Sequence, residues 1–264
     1  MAGLVGLLFG FVMMLLAYKL EGGVFMALLQ PTAAMIVFGG TIAAVVLSFP
    51  MSDVKRLVPA LKVAFGAKER DLAELVLFFK ELAFKTRKNG LLSIEGEISA
   101  DEKMDPFIKK GLQMIVDGVE PQAVRSILEL EIEMMSERHK GAAAMFDSAG
   151  GFGPTMGIIG TVMGLVSVLG ALGDSTPTEL GEKIATAFIA TLYGVAFANL
   201  VYIPIGNRLK VINKEEELEK NLIMEAILFI QEGVNPNTIA EKLKGFLNKQ
   251  QIAKFDSMDK KAEA

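Results

Sequence analysis

The chain contains no cysteine and only one histidine. No disulfide, thiol nucleophile or cysteine-based metal site can be built from it. Charge is missing too, and in a pattern. Four stretches hold no Asp, Glu, Lys or Arg: Met1 to Tyr18, Gly22 to Ser52, Ser148 to Gly173 and Ile184 to Asn207. They form two pairs separated by a charged block. A run of that length satisfies its backbone in lipid only as a helix. Because no acid or base lies inside any of the four, none of them carries a charged side chain into the bilayer.

What is present fits a membrane protein. Hydrophobic residues make up 52% of the chain, in unbroken runs and not in the stripes of a soluble helix. The first run has no basic segment before it and is followed by Lys19 and Glu21, so it reads as a retained span and not as a signal peptide. The net charge of −4 offers no basic field for nucleic acid. With no nucleotide loop and no metal-ligand pair, neither an enzyme nor a cofactor is expected.

Two short connections, Lys19 to Gly23 and Asp174 to Lys183, join the members of each pair. The other ends carry Lys55 and Arg56, then Arg138 and Lys140, then Arg208, Lys210 and Lys214. Basic residues beside span ends mark the cytoplasmic side. Both termini, the central block and the C-terminal segment are therefore expected in the cytoplasm. The expected fold is all-α. Residues 1–52 hold spans one and two, 53–140 a cytoplasmic helical domain, 141–207 spans three and four, and 208–264 cytoplasmic helices and a tail.

In the central block, Leu72, Leu75, Phe79 and Leu82 predict a helix from Arg70 to Arg87, stopped at Asn89-Gly90. Pro106 to Val116 reads as a second helix, ended by Asp117-Gly118. Pro121 starts a third through Ile127, Leu130 and Met134, with nothing to break it before the third span. Leu209 to Gln231 and Pro236 to Leu247 read as helices, and the polar segment from Gln250 as frayed. His139, between Arg138 and Lys140, reads as a surface residue near the membrane.

Gly153, Gly157, Gly160 and Gly164 recur every three or four residues along the third span. In lipid such a face favours close helix packing, whether against another copy, a partner's span or both. Ala187, Thr191, Gly194 and Ala198 make a similar face on the fourth. The spacing is wrong for a dinucleotide loop. Polar groups in these spans are few: Thr155, Thr161, Thr186, Thr191, Tyr193 and Asn199. Such a hydroxyl commonly bonds its own helix backbone. Depth singles out two of them. Thr161 lies about 21 Å in from Asp147 and Thr191 about 25 Å in from Arg208, at 1.5 Å per residue. The pair can reach similar depth and line a polar site. Pro154 and Pro204 lie near the opposite, basic end, where each can kink its helix.

Gly-Pro-Thr-Met-Gly-Ile-Ile-Gly-Thr-Val-Met-Gly-Leu-Val and Ala-Thr-Leu-Tyr-Gly-Val-Ala-Phe-Ala-Asn, set in four spans around a large helical block, resemble the MotA/PomA family of flagellar stator subunits. The resemblance covers nearly the whole chain. It implies a bacterial inner-membrane homo-oligomeric ring, a pentamer, around a dimer of MotB, whose single span supplies the ion-binding aspartate. Ion flow through that complex, H+ or Na+, then drives the rotor protein FliG. It implies a rotor interface at Arg87 and Glu95, coupling prolines at Pro154 and Pro204, and an ion path past Thr161, Thr186 and Thr191. Taken alone, Arg87 and Glu95 look like ordinary solvated charges. Thr161 matches the sodium type, where many proton-type members have alanine. The sodium type also has adjacent threonines where this chain has Ala190-Thr191, so the motif is mixed, and proton is favoured over sodium. The related ExbB/TolQ energisers usually have three spans, which four runs argue against. A structural membrane scaffold stays open on the glycine faces alone.

Overall fold

The computed structural model describes residues 2–66, 71–100 and 104–262. Among these there are helices and turns and no strand. Arg70, the expected start of one helix, lies outside the described residues. The chain forms two compact units, one of residues 1–67 with 138–212 and one of 68–137 with 213–264.

The first unit holds helices long and apolar enough to cross a membrane. These are Gly3–Leu20, Phe25–Ser48, and the apolar parts of Pro121–Gly170 and Pro177–Gln231. The first span is Ala2–Leu20, and none of its apolar window is buried by the rest of the chain. The second run is not the single helix expected. It opens with a 3-10 turn, Phe25–Leu28, followed by extended backbone at Gln30. Pro31, which has no amide hydrogen to lose, starts Pro31–Ala34, and a π turn, Met35–Gly39, leads into Gly40–Ser48. Phe49 is extended, as the residue before a proline prefers, and the span ends at Pro50. Two short helices follow, Met51–Val54 and Leu57–Gly66.

The third span is the end of one 50-residue helix, Pro121–Gly170, as the lack of a break implied. The helix that carries the fourth span begins at Pro177, ahead of the uncharged run, behind a capping box that joins Thr176 and Glu179 reciprocally. It passes through a π turn, Ala198–Tyr202, into the helix Ile203–Gln231. Pro204 accounts for that π turn. Its missing N–H and its ring both disturb the preceding turn, and a wider turn absorbs the mismatch.

In the second unit, Asp71 caps Leu72–Asn89 by accepting from the Ala73 amide. Gly90 stops that helix at φ 81°, where an L side chain would be strained. Asp105 caps Pro106–Val116, whose bounds match the sequence reading, and Gly118 at φ 74° turns the chain. Leu72, Phe79, Leu112, Leu128, Ile227 and Ile239 meet in one core. The helix from Pro121 runs through Ile127, Leu130 and Met134, which are exposed, and its buried stripe is Val124, Leu128 and Ile132. One expectation fails here. The segment from Gln250 is not frayed but part of a helix, Lys249–Ala262. Phe255 anchors it in the core at 1% exposure, and buried Lys80 pairs with Asp259 at 2.5 Å. The helix Pro236–Leu243 ends short of Leu247 and closes in a 3-10 turn, Lys244–Phe246.

Candidate functional site: the seam between the third and fourth spans

The glycine face packs against the fourth span of the same chain, which corrects the expectation of another copy or a partner's span. A β-carbon at Gly157 would lie 2.8 Å from the Ala190 carbonyl oxygen and 3.0 Å from the Thr191 Cα. At Gly160 it would lie 2.6 Å from the Ala190 Cβ, and at Gly164 2.5 Å from the Ala187 Cβ. At Gly153 it would come within 3.2 Å of the Gly194 carbonyl, and Gly194 returns the close approach. The two helices thus approach closely at four levels, as small residues permit in lipid.

That approach brings Thr161 and Thr191 together. Their hydroxyl oxygens are 2.6 Å apart. Thr161 Oγ1 lies 3.1 Å from the carbonyls of both Gly157 and Ala187, and Thr191 Oγ1 lies 3.3 Å from the Gly157 carbonyl. Four oxygens share two hydroxyl protons, so the site accepts more than it donates. Thr161 therefore bonds its own helix, the bland possibility, and also the neighbouring one. Thr186 is not brought to this pair. It donates to the Glu182 carbonyl of its own helix at 3.0 Å. Thr155 likewise bonds Phe152, and Asn199 bonds Val195.

Thr186 instead lines an open cleft of about 630 Å³ with Thr32, Ile36, Met163, Asp174 and Glu179. Hydrogen bonds from the Thr176 backbone and then its side chain hold the Glu179 carboxyl below its ordinary pKa. Ala190 is 2% exposed and packs beside Ala33 and Val37. A third hydroxyl at position 190 would have to fit against Gly160.

Tyr193 has a role that sequence reasoning missed. Its hydroxyl donates to the Leu28 carbonyl and accepts from the Gln30 amide at 3.2 Å. Those two backbone groups are among those freed by the break in the second span, and in lipid they need a partner. Phe38 stacks on the same ring at 5.9 Å. The available signal was a tyrosine in one uncharged run and a Gln-Pro step in another.

Pro154 lies inside the third span, and its Cα is 3.2 Å from where a β-carbon at Gly194 would sit. Pro204 follows the π turn of the fourth span. Lys210 and Asp147 pair at 2.6 Å at that end of the two spans. In the second unit, Arg87 lies in the last turn of Leu72–Asn89, and Glu95 begins Glu95–Ala100 after a 3-10 turn. Both are exposed, and neither makes an ion pair among the described residues. His139 is half-buried. Among the described residues no cluster of His, Asp or Glu could hold a metal.

Residues 4–90 match the Motility protein A N-terminal family, and residues 99–221 match the MotA/TolQ/ExbB proton channel family. The chain is 37% identical to Motility protein A of Bacillus subtilis (strain 168), over 96% of this chain and 92% of that one. It is 35% identical to the chemotaxis protein PomA of Vibrio alginolyticus, over 94% and 95%. The fold superposes on a subunit of the flagellar MotAB stator complex from Bacillus subtilis with a TM-score of 0.89 and 36% identity, covering 97% of this chain and 99% of that one. A four-span, nearly all-helical chain that matches these relatives along its length belongs to the motility protein A family.

Proposed function

We propose that this chain is the ion-channel subunit of a flagellar stator, a multi-pass inner-membrane protein that couples ion flow to torque on the rotor. The observation that carries the reading is the seam of spans three and four. It is polar through Thr161 and Thr191, and the uncharged runs around it hold no acid or base. Such a seam needs a carboxylate from outside, and a MotB-like single-span subunit supplies an aspartate. The relatives' assembly as a MotAB stator complex supports that partner.

Basic residues at the 55, 138 and 208 ends of the spans support cytoplasmic termini and a cytoplasmic second unit. A homo-oligomeric ring, read as a pentamer around a MotB dimer, fits two uncovered surfaces. One is the unburied first span, and the other is the exposed stripe of Ile127, Leu130 and Met134. Pro154 and Pro204 serve as the hinge between ion passage and motion of the helices. No cofactor takes part beyond the transported ion.

Arg87 and Glu95 form the contact with FliG. Being exposed, they contribute little to folding, so their loss acts through a partner surface. Arg87→Glu or Glu95→Lys will impair swimming while leaving membrane insertion and copurification with the partner subunit intact. Charge reversal on the rotor side will restore part of it. Normal swimming of both reversals would return them to ordinary surface charges.

The ion is the proton. A proton needs a carboxylate and a water chain, whereas sodium must exchange its shell for several oxygens. Here the two threonine hydroxyls already bond each other and two helix carbonyls, and Ala190 offers no third. Swimming speed at fixed proton-motive force will be independent of external sodium. A steep sodium dependence that disappears in Thr161→Ala would instead assign sodium.

A further inference from the structure

The helices Met51–Val54 and Leu57–Gly66 follow the second span after Pro50. Their inner face is occupied. Ala60 and Ala64 are buried, and Leu57, Leu61 and Phe65 pack into the cluster that holds Ala142, Phe146 and Leu209. Arg208 donates from Nε to the Ala64 carbonyl, satisfying one of the acceptors that a helix C-terminus leaves free. The segment is thus fixed in orientation.

Its outer face carries Met51, Lys55, Val58, Pro59, Lys62 and Val63, all exposed. Within Leu57–Gly66, Val58 and Lys62 lie one turn apart, as do Pro59 and Val63, and Met51 and Lys55 precede them across the turn. Asp53 pairs with Arg56 at 3.3 Å. Lys55 and Lys62 have no carboxylate partner among the described residues. Aliphatic residues therefore alternate with unpaired positive charge. The face holds none of the Trp, Tyr or Arg anchors that protein interfaces favour, apart from Arg56, which is paired. It follows the second span, where Leu47 is 90% exposed and Ile42 62% exposed.

We propose that this face is a docking site for anionic phospholipid of the adjoining leaflet. Met51, Val58 and Val63 lie at the acyl boundary. The lysine stems run along them and carry Nζ of Lys55 and Lys62 to the headgroup phosphate. The inference requires only that the spans lie in a bilayer, not the stator reading.

The test titrates the full chain in mild detergent with phosphatidylglycerol, phosphatidylcholine or inorganic phosphate, and reads bound lipid by native mass spectrometry. The parent will prefer phosphatidylglycerol. Lys55→Gln with Lys62→Gln will weaken that lipid's binding about 25-fold, at roughly fivefold per lysine, and leave phosphatidylcholine unchanged. Lys55→Arg with Lys62→Arg will retain the preference. Lys249→Gln with Lys260→Gln, the same charge loss in the second unit, will retain it too. Four results would overturn the proposal: no preference in the parent, a preference kept by the glutamine pair, an equal loss in the control pair, or competition by inorganic phosphate as strong as by the lipid.

Discussion

Gly157→Val will separate the third and fourth spans and abolish swimming. The new side chain meets backbone atoms, the Ala190 carbonyl at 2.8 Å and the Thr191 Cα at 3.0 Å. Neither can turn aside as the tip of a side chain can, so the helices must part. Overpacking of a tight contact costs about 1–3 kcal/mol, and more where nothing yields. Separation also breaks the Thr161–Thr191 contact, since the Gly157 carbonyl lies at its centre. That loss is the smaller part. An interhelical hydrogen bond within a membrane averages about 0.6 kcal/mol, so Thr161→Ala alone will leave the fold intact. Gly151 is the control, because it is exposed and nothing lies within 4 Å of a β-carbon there. Thermal stability in detergent and swimming in soft agar will both drop for Gly157→Val and stay near parent for Gly151→Ala. Parent-like behaviour of Gly157→Val would mean that the seam is looser than its geometry implies.

Ion flux will be absent from liposomes that hold this chain alone. It will appear only when an Asp-bearing single-span subunit is reconstituted with it. The four uncharged runs contain no acid or base. A desolvated ion there meets hydroxyl and carbonyl oxygens but no charge of opposite sign, and a proton finds no group to titrate. The expected change on adding the partner is from background to measurable flux, and Asp→Asn in the partner will return it to background. Robust selective flux from the chain alone would overturn the assignment of the titrating group to another chain.

Local chemistry made much of this protein legible as sequence. Uncharged runs define spans because lipid tolerates no unsatisfied backbone. Asp105-Pro106 and Asp117-Gly118 bracket a helix because a cap, a missing donor and a positive φ each act within a few residues. The three-and-four repeat of Gly153, Gly157, Gly160 and Gly164 revealed a face prepared for close packing. It did not reveal the mate, because a repeat fixes one side of a helix and says nothing about what lies across from it. Only the tertiary structure decided that the fourth span of the same chain fills that role, and that Thr161 and Thr191 therefore touch. The break in the second span was invisible for the same reason. A helix can interrupt its hydrogen bonds in lipid only when a distant group, here the Tyr193 hydroxyl, takes the freed carbonyl and amide. The C-terminal helix has a polar composition that suggests fraying. Its order comes from one buried ring, Phe255, and from Asp259 meeting a lysine 179 residues away. Sequence therefore determined which segments are uncharged and long enough to span lipid and which faces are small. Tertiary packing decided which faces meet, since that depends on atoms far apart along the chain.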